Sequence, residues 1–235
     1  MRRAIAQSCN VFFFTIGGGF GNIPGLGADR IVKYLSDSLA NVKLDIDIPG
    51  EERGFVPSPD WKLQTRGENW YQGDTYNISV GQGDLLVTPL WLNSYISAIA
   101  NGGTIYKPMI AQKVVDENNN DLQVFKAEAV AKFPFNDEVI KEVKSDMEET
   151  VISGTAGILN DLPVRAGAKT GTSEVIKGKS INSLFTAFAP FDNPELNISV
   201  LIEGSASNQG LAIRTAHNVL KWYFSERADS NLYPQ

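Results

Sequence analysis

The chain of 235 residues is long enough for one large domain or two small ones, and its 43% hydrophobic and 20% charged residues are ordinary for a globular protein. Its net charge of −6 argues against non-specific binding to nucleic acid, which depends on Lys and Arg. The single cysteine, Cys9, excludes an internal disulfide, and the single histidine, His217, leaves little room for a His-based metal centre or a Ser-His-Asp triad. We therefore expect no metal and no cofactor, and no apolar run of the sequence is long enough to span a bilayer.

The first part of the chain predicts helices. Residues 2–16 have a helical pattern that is interrupted near Ser8, because Ser and Asn favour caps and turns over helix interiors. Asn10 is a candidate cap of a second helix beginning at Val11, which exposes Ser8 and Asn10 at the junction. A plain helix cap without chemistry is the alternative interpretation. A further helix is predicted over residues 30–39.

The middle of the chain mixes loops, turns and one strongly marked helix. Residues 44–68 are predicted as a long loop, because Pro and Gly occupy turn positions throughout it. Tight turns are predicted at residues 73–75 and 81–83. The Thr-Pro pair at residues 88–89 is typical of an N-cap followed by proline at the first helical position, and this helix is predicted to end near Asn101, before two glycines.

The last part of the chain predicts a sheet between helices. A hairpin over residues 104–126 is followed by a helix that starts at residue 136 or 137 and ends at 152. Three consecutive strands then contain the segments 168–174, 184–189 and 196–203, and a final helix is predicted over about 210–227. Consecutive strands with short turns imply an antiparallel sheet. The fold class is therefore α+β, an antiparallel sheet flanked by helices, without βαβ repetition.

The segment AKTGTSE, residues 168–174, brings a cation, two hydroxyls and a glycine together. On a strand, Lys169 and Gly171 share one face, and the two threonines point to the other. The hydroxyl and the N–H of Thr172 are suited to hold a carboxylate or a developing oxyanion beside the charge of Lys169. For an isolated Lys-Thr-Gly, the alternative is a polar edge strand whose lysine prevents aggregation.

A family resemblance favours the functional interpretation of this segment over the polar edge strand. Ser-Cys-Asn at residues 8–10 and Lys-Thr-Gly at 169–171 resemble the Ser-x-Asn and Lys-Thr-Gly elements of penicillin-binding proteins and serine β-lactamases. Longer segments occur in the order seen in class B penicillin-binding proteins, most closely the penicillin-binding protein 2 type: RRAIAQSCNVFFF, DIPGE, GFVPSPDWK, WYQGDTYNISVGQG, LLVTPL, AIANGG and AKTGTSE. The resemblance covers nearly the whole chain and implies a β-lactamase/penicillin-binding transpeptidase-like fold.

The sequence departs from this family in one respect. The family's nucleophile lies in a Ser-x-x-Lys motif, and no lysine of this chain has a serine three positions before it. We therefore expect residues 1–235 to be the C-terminal portion of a penicillin-binding transpeptidase domain, N-terminally incomplete, with the nucleophile, the first strands and the membrane anchor outside this sequence. The chain alone is expected to be inactive.

The resemblance also implies roles for three catalytic residues. Ser8 would relay a proton to the leaving amine during acylation by the peptide's penultimate D-alanine. Asn10 would hydrogen-bond the substrate amide and the lysine of the missing motif. Lys169 would attract the terminal carboxylate of the substrate and support Ser8.

The substrate-binding residues implied by the resemblance are Thr170, Gly171, Thr172, Asp74 and Thr75. The hydroxyls of Thr170 and Thr172 would bind the carboxylate, and the N–H of Thr172 would be one oxyanion donor. Asp74 and Thr75 are expected to shape the rim of the cleft.

The implied function is D,D-transpeptidation at the extracytoplasmic face of the bacterial plasma membrane. The implied partners are D-Ala-D-Ala stem peptides, β-lactams and proteins of the elongation or division machinery, with no nucleic acid and membrane contact only through the missing anchor. Two alternatives stay open: a non-catalytic remnant or docking module of the cell-wall machinery, and a β-lactamase or β-lactam sensor. The segment WYQGDTYNISVGQG favours the penicillin-binding branch over the last of these.

Overall fold

The computed structural model describes residues 1–176, 180–205 and 210–226. Within these residues, the α-helices are α1 Arg2–Ala6, α2 Asn10–Gly18, α3 Ala28–Asp37, α4 Pro59–Arg66, α5 Gln72–Ser79, α6 Pro89–Asn101, α7 Asp137–Ile152 and α8 Gly210–Lys221. The strands are β1 Thr104–Tyr106, β2 Lys113–Val115, β3 Asp121–Val124, β4 Ala129–Lys132, β5 Gly167–Ile176, β6 Ser180–Ala189 and β7 Leu196–Ser205. A 3₁₀ turn covers Gly157–Asp161, and a π-helical turn covers Trp222–Glu226. The molecule is α+β, as predicted.

The main sheet has the order β5-β6-β7 and is antiparallel throughout. Directly paired residues of neighbouring strands point to the same face of a sheet. Lys169 pairs with Thr186 on one face, and Thr170 pairs with Phe185 on the other. The side chain of Lys169 and that of Thr170 are therefore directed to opposite faces of the same strand.

Both faces of the sheet are covered by apolar clusters. One cluster joins Phe185 to Ala216 and Leu220 of α8, and a second joins Phe188 to Ile99 of α6 and Met147 of α7. Burying a side chain of this size contributes about 1.5–3 kcal/mol. The central strand β6 is thus fixed from both sides, and it in turn fixes β5, the strand that carries the motif.

The helix α6 and the helix α7 agree with their predictions. The hydroxyl of Thr88 accepts a hydrogen bond from the N–H of Trp91 at 3.1 Å, and Gly102 ends α6 in the left-handed conformation. The side chain of Asn136 caps α7 in the same way through Val139 N–H at 2.9 Å. The helix α7 lies between α1 and β5, and α6 packs against β6 and β7.

The prediction of a continuous loop over residues 44–68 is wrong, because α4 lies inside it. The hydroxyl of Ser58 accepts from the N–H of Trp61 at 3.1 Å, with proline at the first helical position. Trp61 is not fully exposed, since its ring meets Phe55 with 4.8 Å between centroids and the guanidinium of Arg66 lies 4.9 Å from it. Tertiary contacts thus outweigh the Pro and Gly content of this segment.

Two local predictions need correction and one needs extension. Residues 73–75 lie inside α5, where the carboxylate of Asp74 accepts a hydrogen bond from Tyr71 N–H at 2.8 Å near the helix start. Asn10 is the first residue of α2 and makes no cap hydrogen bond, because Cys9 takes the N-cap position.

The predicted hairpin is formed by β2 and β3, and β1 pairs with β4 beside it. The predicted end of the last helix, Arg227, lies outside the described residues.

Candidate active site

Two walls from distant parts of the chain enclose a cavity of about 480 Å³. The junction of α1 and α2 contributes Ser8 and Asn10 to one wall, and β5 contributes residues 169–172 to the other. The remaining lining residues come from α2, the end of α5 and two loops: Phe13, Ser79, Val80, Gln82 and Thr155. Six of the eight site residues predicted from the sequence therefore lie around one cavity.

Ser8 and Lys169 are in direct contact across the cavity. The Nζ atom of Lys169 donates to Ser8 Oγ at 2.7 Å and to the carbonyl oxygen of Thr170 at 3.1 Å. Ser8 has a φ of +53°, a left-handed conformation that is uncommon outside glycine, and its N–H donates to the carbonyl oxygen of Ile5 at 3.2 Å. The last turn of α1 therefore aims the serine hydroxyl at the lysine.

Burial lowers the pKa of Lys169 below its ordinary value. A lysine with a lowered pKa gives up its proton more readily than an exposed one. With the Ser8 hydroxyl 2.7 Å away, the pair is arranged to pass a proton from the ammonium through the hydroxyl to a group in the cavity.

Both threonines of β5 have their positions fixed by neighbouring segments. The hydroxyl of Thr170 lies 2.8 Å from the hydroxyl of Thr155, and Gln82 Nε2 donates to the carbonyl oxygen of Thr172 at 2.9 Å. A Cβ added at Gly171 would lie only 3.3 Å from Leu184 Cβ, so the small residue suits its close packing on β6. Because β5 is an edge strand of its sheet, side chains from both of its faces line the cavity, and two hydroxyls and a cation are available there to an anion.

Asn10 lies beside Ser8 at the start of α2. It is exposed, it lines the cavity, and Phe13 lines the cavity three residues later on the same side of the helix. The intervening Cys9 is an exposed free thiol and is not among the lining residues. The amide of Asn10 is available to hydrogen-bond a polar group held in the cavity.

Asp74 and Thr75 do not line the cavity, in contrast to their predicted place at its rim. Asp74 accepts a hydrogen bond from Lys62 Nζ at 2.7 Å, and the hydroxyl of the buried Thr75 accepts from Trp70 Nε1 at 2.8 Å. Burial opposes ionisation of Asp74, but the hydrogen bonds from Lys62 and Tyr71 lower its pKa overall. These residues fix α5 against α4 and so position Ser79 at the cavity from outside.

Three polar lining residues were not among the site residues predicted from the sequence. Ser79 follows the buried Ile78 at the end of α5, Gln82 lies in the predicted turn, and Thr155 lies between two glycines after α7. Each reaches the cavity through tertiary contacts, which a local sequence pattern does not contain.

The described residues offer neither a metal cluster nor a membrane-spanning helix. No group of three or more His, Cys, Asp and Glu side chains among them is placed to bind a metal ion. None of their helices combines the length and the apolar character that crossing a bilayer requires.

Comparison with known proteins supplies the family context of this cavity. Residues 1–221 match the family model of the penicillin binding protein transpeptidase domain. The peptidoglycan D,D-transpeptidase MrdA of Acinetobacter baumannii is 29% identical over 255 aligned residues, which cover 100% of this chain and 36% of that protein. The chain therefore spans about a third of the length of this relative.

Solved structures show the same architecture. The penicillin-binding protein PBP2 of Helicobacter pylori, solved in complex with MreC, has a TM-score of 0.74 and 26% identity, with 94% of this chain and 39% of that chain covered. The PBP2 of Pseudomonas aeruginosa in complex with WCK 5153 has a TM-score of 0.76 over 100% of this chain and 50% of that chain. At 24% identity, this second structure supports the fold alone.

Proposed function

Because the chain belongs to the penicillin binding protein transpeptidase domain family, we propose that it is the C-terminal portion of a peptidoglycan D,D-transpeptidase that binds D-Ala-D-Ala stem peptides and β-lactams. The observation that carries the proposal is the 2.7 Å contact between Lys169 Nζ and Ser8 Oγ in a cavity that Asn10, Thr170 and Thr172 also line. A cation, a relay hydroxyl, an amide and two further hydroxyls are suited to bind a peptide with a terminal carboxylate and to protonate its leaving amine.

The β5 rim of the cavity binds the end of the stem peptide. The hydroxyls of Thr170 and Thr172 donate to the terminal carboxylate, and the charge of Lys169 attracts it. The backbone N–H of Thr172 donates to the oxyanion that forms on the scissile carbonyl, and Asn10 holds the substrate amide from the opposite wall. The substrate is thereby held between the two walls.

Ser8 and Lys169 serve the departure of the terminal D-alanine. As the C–N bond of the scissile peptide breaks, the leaving nitrogen takes the proton of the Ser8 hydroxyl, and Ser8 takes a proton from Lys169. The lowered pKa of Lys169 assists this transfer. The electron pair of the broken bond stays on the departing amine, the oxyanion re-forms its C=O double bond, and the acyl group stays on the nucleophile, so charge and protons balance.

The acyl group needs a nucleophile that these 235 residues do not supply in the family's Ser-x-x-Lys form. We therefore expect no covalent labelling of this chain by fluorescent penicillin on a denaturing gel, and labelling once a Ser-x-x-Lys segment of the same protein is present. Labelling of the 235-residue chain alone would contradict the need for that segment. Rapid turnover of nitrocefin would point instead to a β-lactamase.

The variant Ser8→Ala is tested in the longer protein that contains the Ser-x-x-Lys segment and is labelled by penicillin. Loss of the relay hydroxyl is expected to slow acylation by about 10²–10⁴-fold, the usual contribution of a positioned proton-transfer group. Ser225→Ala, in the π-helical turn and outside the cavity lining, is the control and is expected to leave the rate unchanged. An unchanged rate in the Ser8 variant would remove Ser8 from the mechanism.

The comparison with the Helicobacter pylori complex suggests a protein partner. We propose that the protein acts at the extracytoplasmic face of the plasma membrane and associates with an MreC-type protein. Co-purification of the chain with MreC from the same organism tests whether this portion carries the contact. Failure of both the chain and a longer form to bind MreC would exclude the association.

A further inference from the structure

The loop over residues 153–156, between α7 and the following 3₁₀ turn, contacts both walls of the cavity. The hydroxyl of Thr155 lies 2.8 Å from the hydroxyl of Thr170 on β5. The N–H of Thr155 donates to the carbonyl oxygen of Ala6 in α1 at 3.1 Å, two residues before Ser8. Gln7 Nε2 also donates to the carbonyl oxygen of Ser153 at 2.8 Å.

The close approach of this loop to α1 depends on a glycine. A Cβ at Gly154 would collide with the carbonyl oxygen and carbon of Ala6. On its other side, the loop is fixed by a 3.0 Å hydrogen bond from Ala156 N–H to the carbonyl oxygen of Thr150 in α7. Thr155 is therefore held from both sides, although its side chain is exposed to the cavity.

The contact between Thr155 and Thr170 joins two hydroxyls, and either one can be the donor. If Thr155 donates, the proton of Thr170 is free to point into the cavity; if Thr170 donates, the proton of Thr155 is free. In both cases the pair keeps one hydroxyl proton available to the cavity. A carboxylate only accepts hydrogen bonds, so it is the ligand that such a pair favours.

We propose that Thr155 is a positioning residue for the substrate carboxylate, acting through its hydroxyl contact with Thr170. This inference rests on the proposed function, because it assigns the β5 rim of the cavity to the terminal carboxylate of the stem peptide. It adds to the Lys-Thr-Gly-Thr strand a third hydroxyl, which comes from the loop that also anchors α1.

Binding of a peptide acid and of its amide to the 235-residue chain tests the proposal without acylation. The probes are N-acetyl-D-alanyl-D-alanine and its C-terminal amide, titrated into the wild-type chain while amide chemical shifts are followed by NMR. Thr155→Val removes the hydroxyl at nearly constant shape, and Thr155→Ser keeps it. Thr65→Val, an exposed threonine of α4, is the matched control.

The wild-type chain is expected to prefer the acid over the amide. Thr155→Val is expected to weaken binding of the acid by about 10-fold or more, the range for one hydrogen bond to a charged group, with no change for the amide. Thr155→Ser and Thr65→Val are expected to keep the wild-type preference. The NMR spectrum of each variant also reports whether it is folded, and Thr155→Ala replaces the valine variant if that one is not.

A failure of the proposed function and a failure of the role of Thr155 are distinguishable. A wild-type chain that binds acid and amide equally would contradict the carboxylate site of the proposed function. A wild-type chain that prefers the acid, with a folded Thr155→Val that prefers it as strongly, would overturn the role of Thr155 alone. Equal weakening for acid and amide would reduce Thr155 to a structural residue and also overturn the proposal.

Discussion

Asp146 is a buried carboxylic acid in an unfavourable environment. Its side chain is 0% exposed, and neither carboxyl oxygen has a hydrogen-bond partner among the described residues. Arg2 Nε lies 3.6 Å from Oδ1, too far for a hydrogen bond. Burial, together with the charge of Glu142, raises the pKa of Asp146 above its ordinary value.

A raised pKa means that the folded protein binds a proton more tightly than the unfolded chain does. Stability therefore falls as the pH rises from the unfolded value, about 3.9, through the raised folded value. Asp146→Asn removes this titration and is expected to stabilise the protein at pH 7, with a smaller gain at pH 4. Urea unfolding at pH 4 and pH 7 measures the effect.

The exposed carboxyl of Glu52 provides the control for this prediction, and Glu52→Gln is expected to change stability by less than about 0.5 kcal/mol. A loss of stability at pH 7 in the Asp146→Asn variant would show that attraction to Arg2 outweighs the cost of burying the charge.

Single residues also show where sequence reasoning succeeded. Ser8, Asn10 and Lys169 belong to short motifs whose resemblance to a known family implied a shared site, and all three line one cavity. Thr155 belongs to no such motif, and its place depends on how α7 and β5 pack against α1. The family resemblance placed Asp74 at the rim of the cleft, but its carboxylate lies outside the cavity and accepts a hydrogen bond from Lys62.

At the scale of elements, the same helix-start pattern occurs twice, and the helix was predicted correctly at one place and missed at the other. Ser58 before Pro59 and Thr88 before Pro89 are both N-caps followed by proline. The second precedes a regular apolar pattern, and the first lies among prolines and glycines that favour a loop. The helix α4 forms there because Lys62, buried in its middle, pairs with Asp74 of α5, a contact that a sequence pattern does not contain.

The loop over residues 153–156 gives a prediction at this scale. Gly154→Ala places a methyl group against the carbonyl of Ala6 and is expected to destabilise the protein by about 1–3 kcal/mol, because the loop and α1 must move apart. Thermal or urea unfolding measures the loss. The same change should weaken the acid preference of the cavity, since Thr155 moves with the loop.

The chain contains a matched glycine for comparison. A Cβ at Gly157 has its nearest neighbour, the carbonyl oxygen of Val151, at 3.9 Å, which is ordinary contact. Gly157→Ala is expected to leave stability within about 0.5 kcal/mol of the wild type. Equal effects of the two substitutions would show that close packing on α1 is not what requires Gly154.

At the scale of the whole molecule, strand β6 connects the two apolar clusters. Phe185 and Phe188 are 1% and 0% exposed and belong to different clusters. The sequence predicted the strand and its antiparallel neighbours from alternation and short turns. It did not predict that α6 would cover one face and α8 the other, because which helix covers which face depends on long-range packing.

Truncation of either phenylalanine tests whether the described chain behaves as one cooperative unit. Phe185→Ala and Phe188→Ala are each expected to cost about 3–5 kcal/mol, with a single unfolding transition and an unchanged denaturant slope. Phe20→Ala is the control, because Phe20 is 75% exposed. Two separate transitions in either variant would show that the clusters unfold independently.

The two atoms of the Ser8–Lys169 contact belong to residues 161 positions apart. A small molecule that occupies the space between them can do so only after almost the entire polypeptide has adopted its native arrangement. Its binding energy therefore raises the melting temperature of the chain as a whole, by mass action. Thermal-shift screening can therefore find inhibitors without turnover and without a covalent adduct. It can be carried out on the 235-residue chain itself.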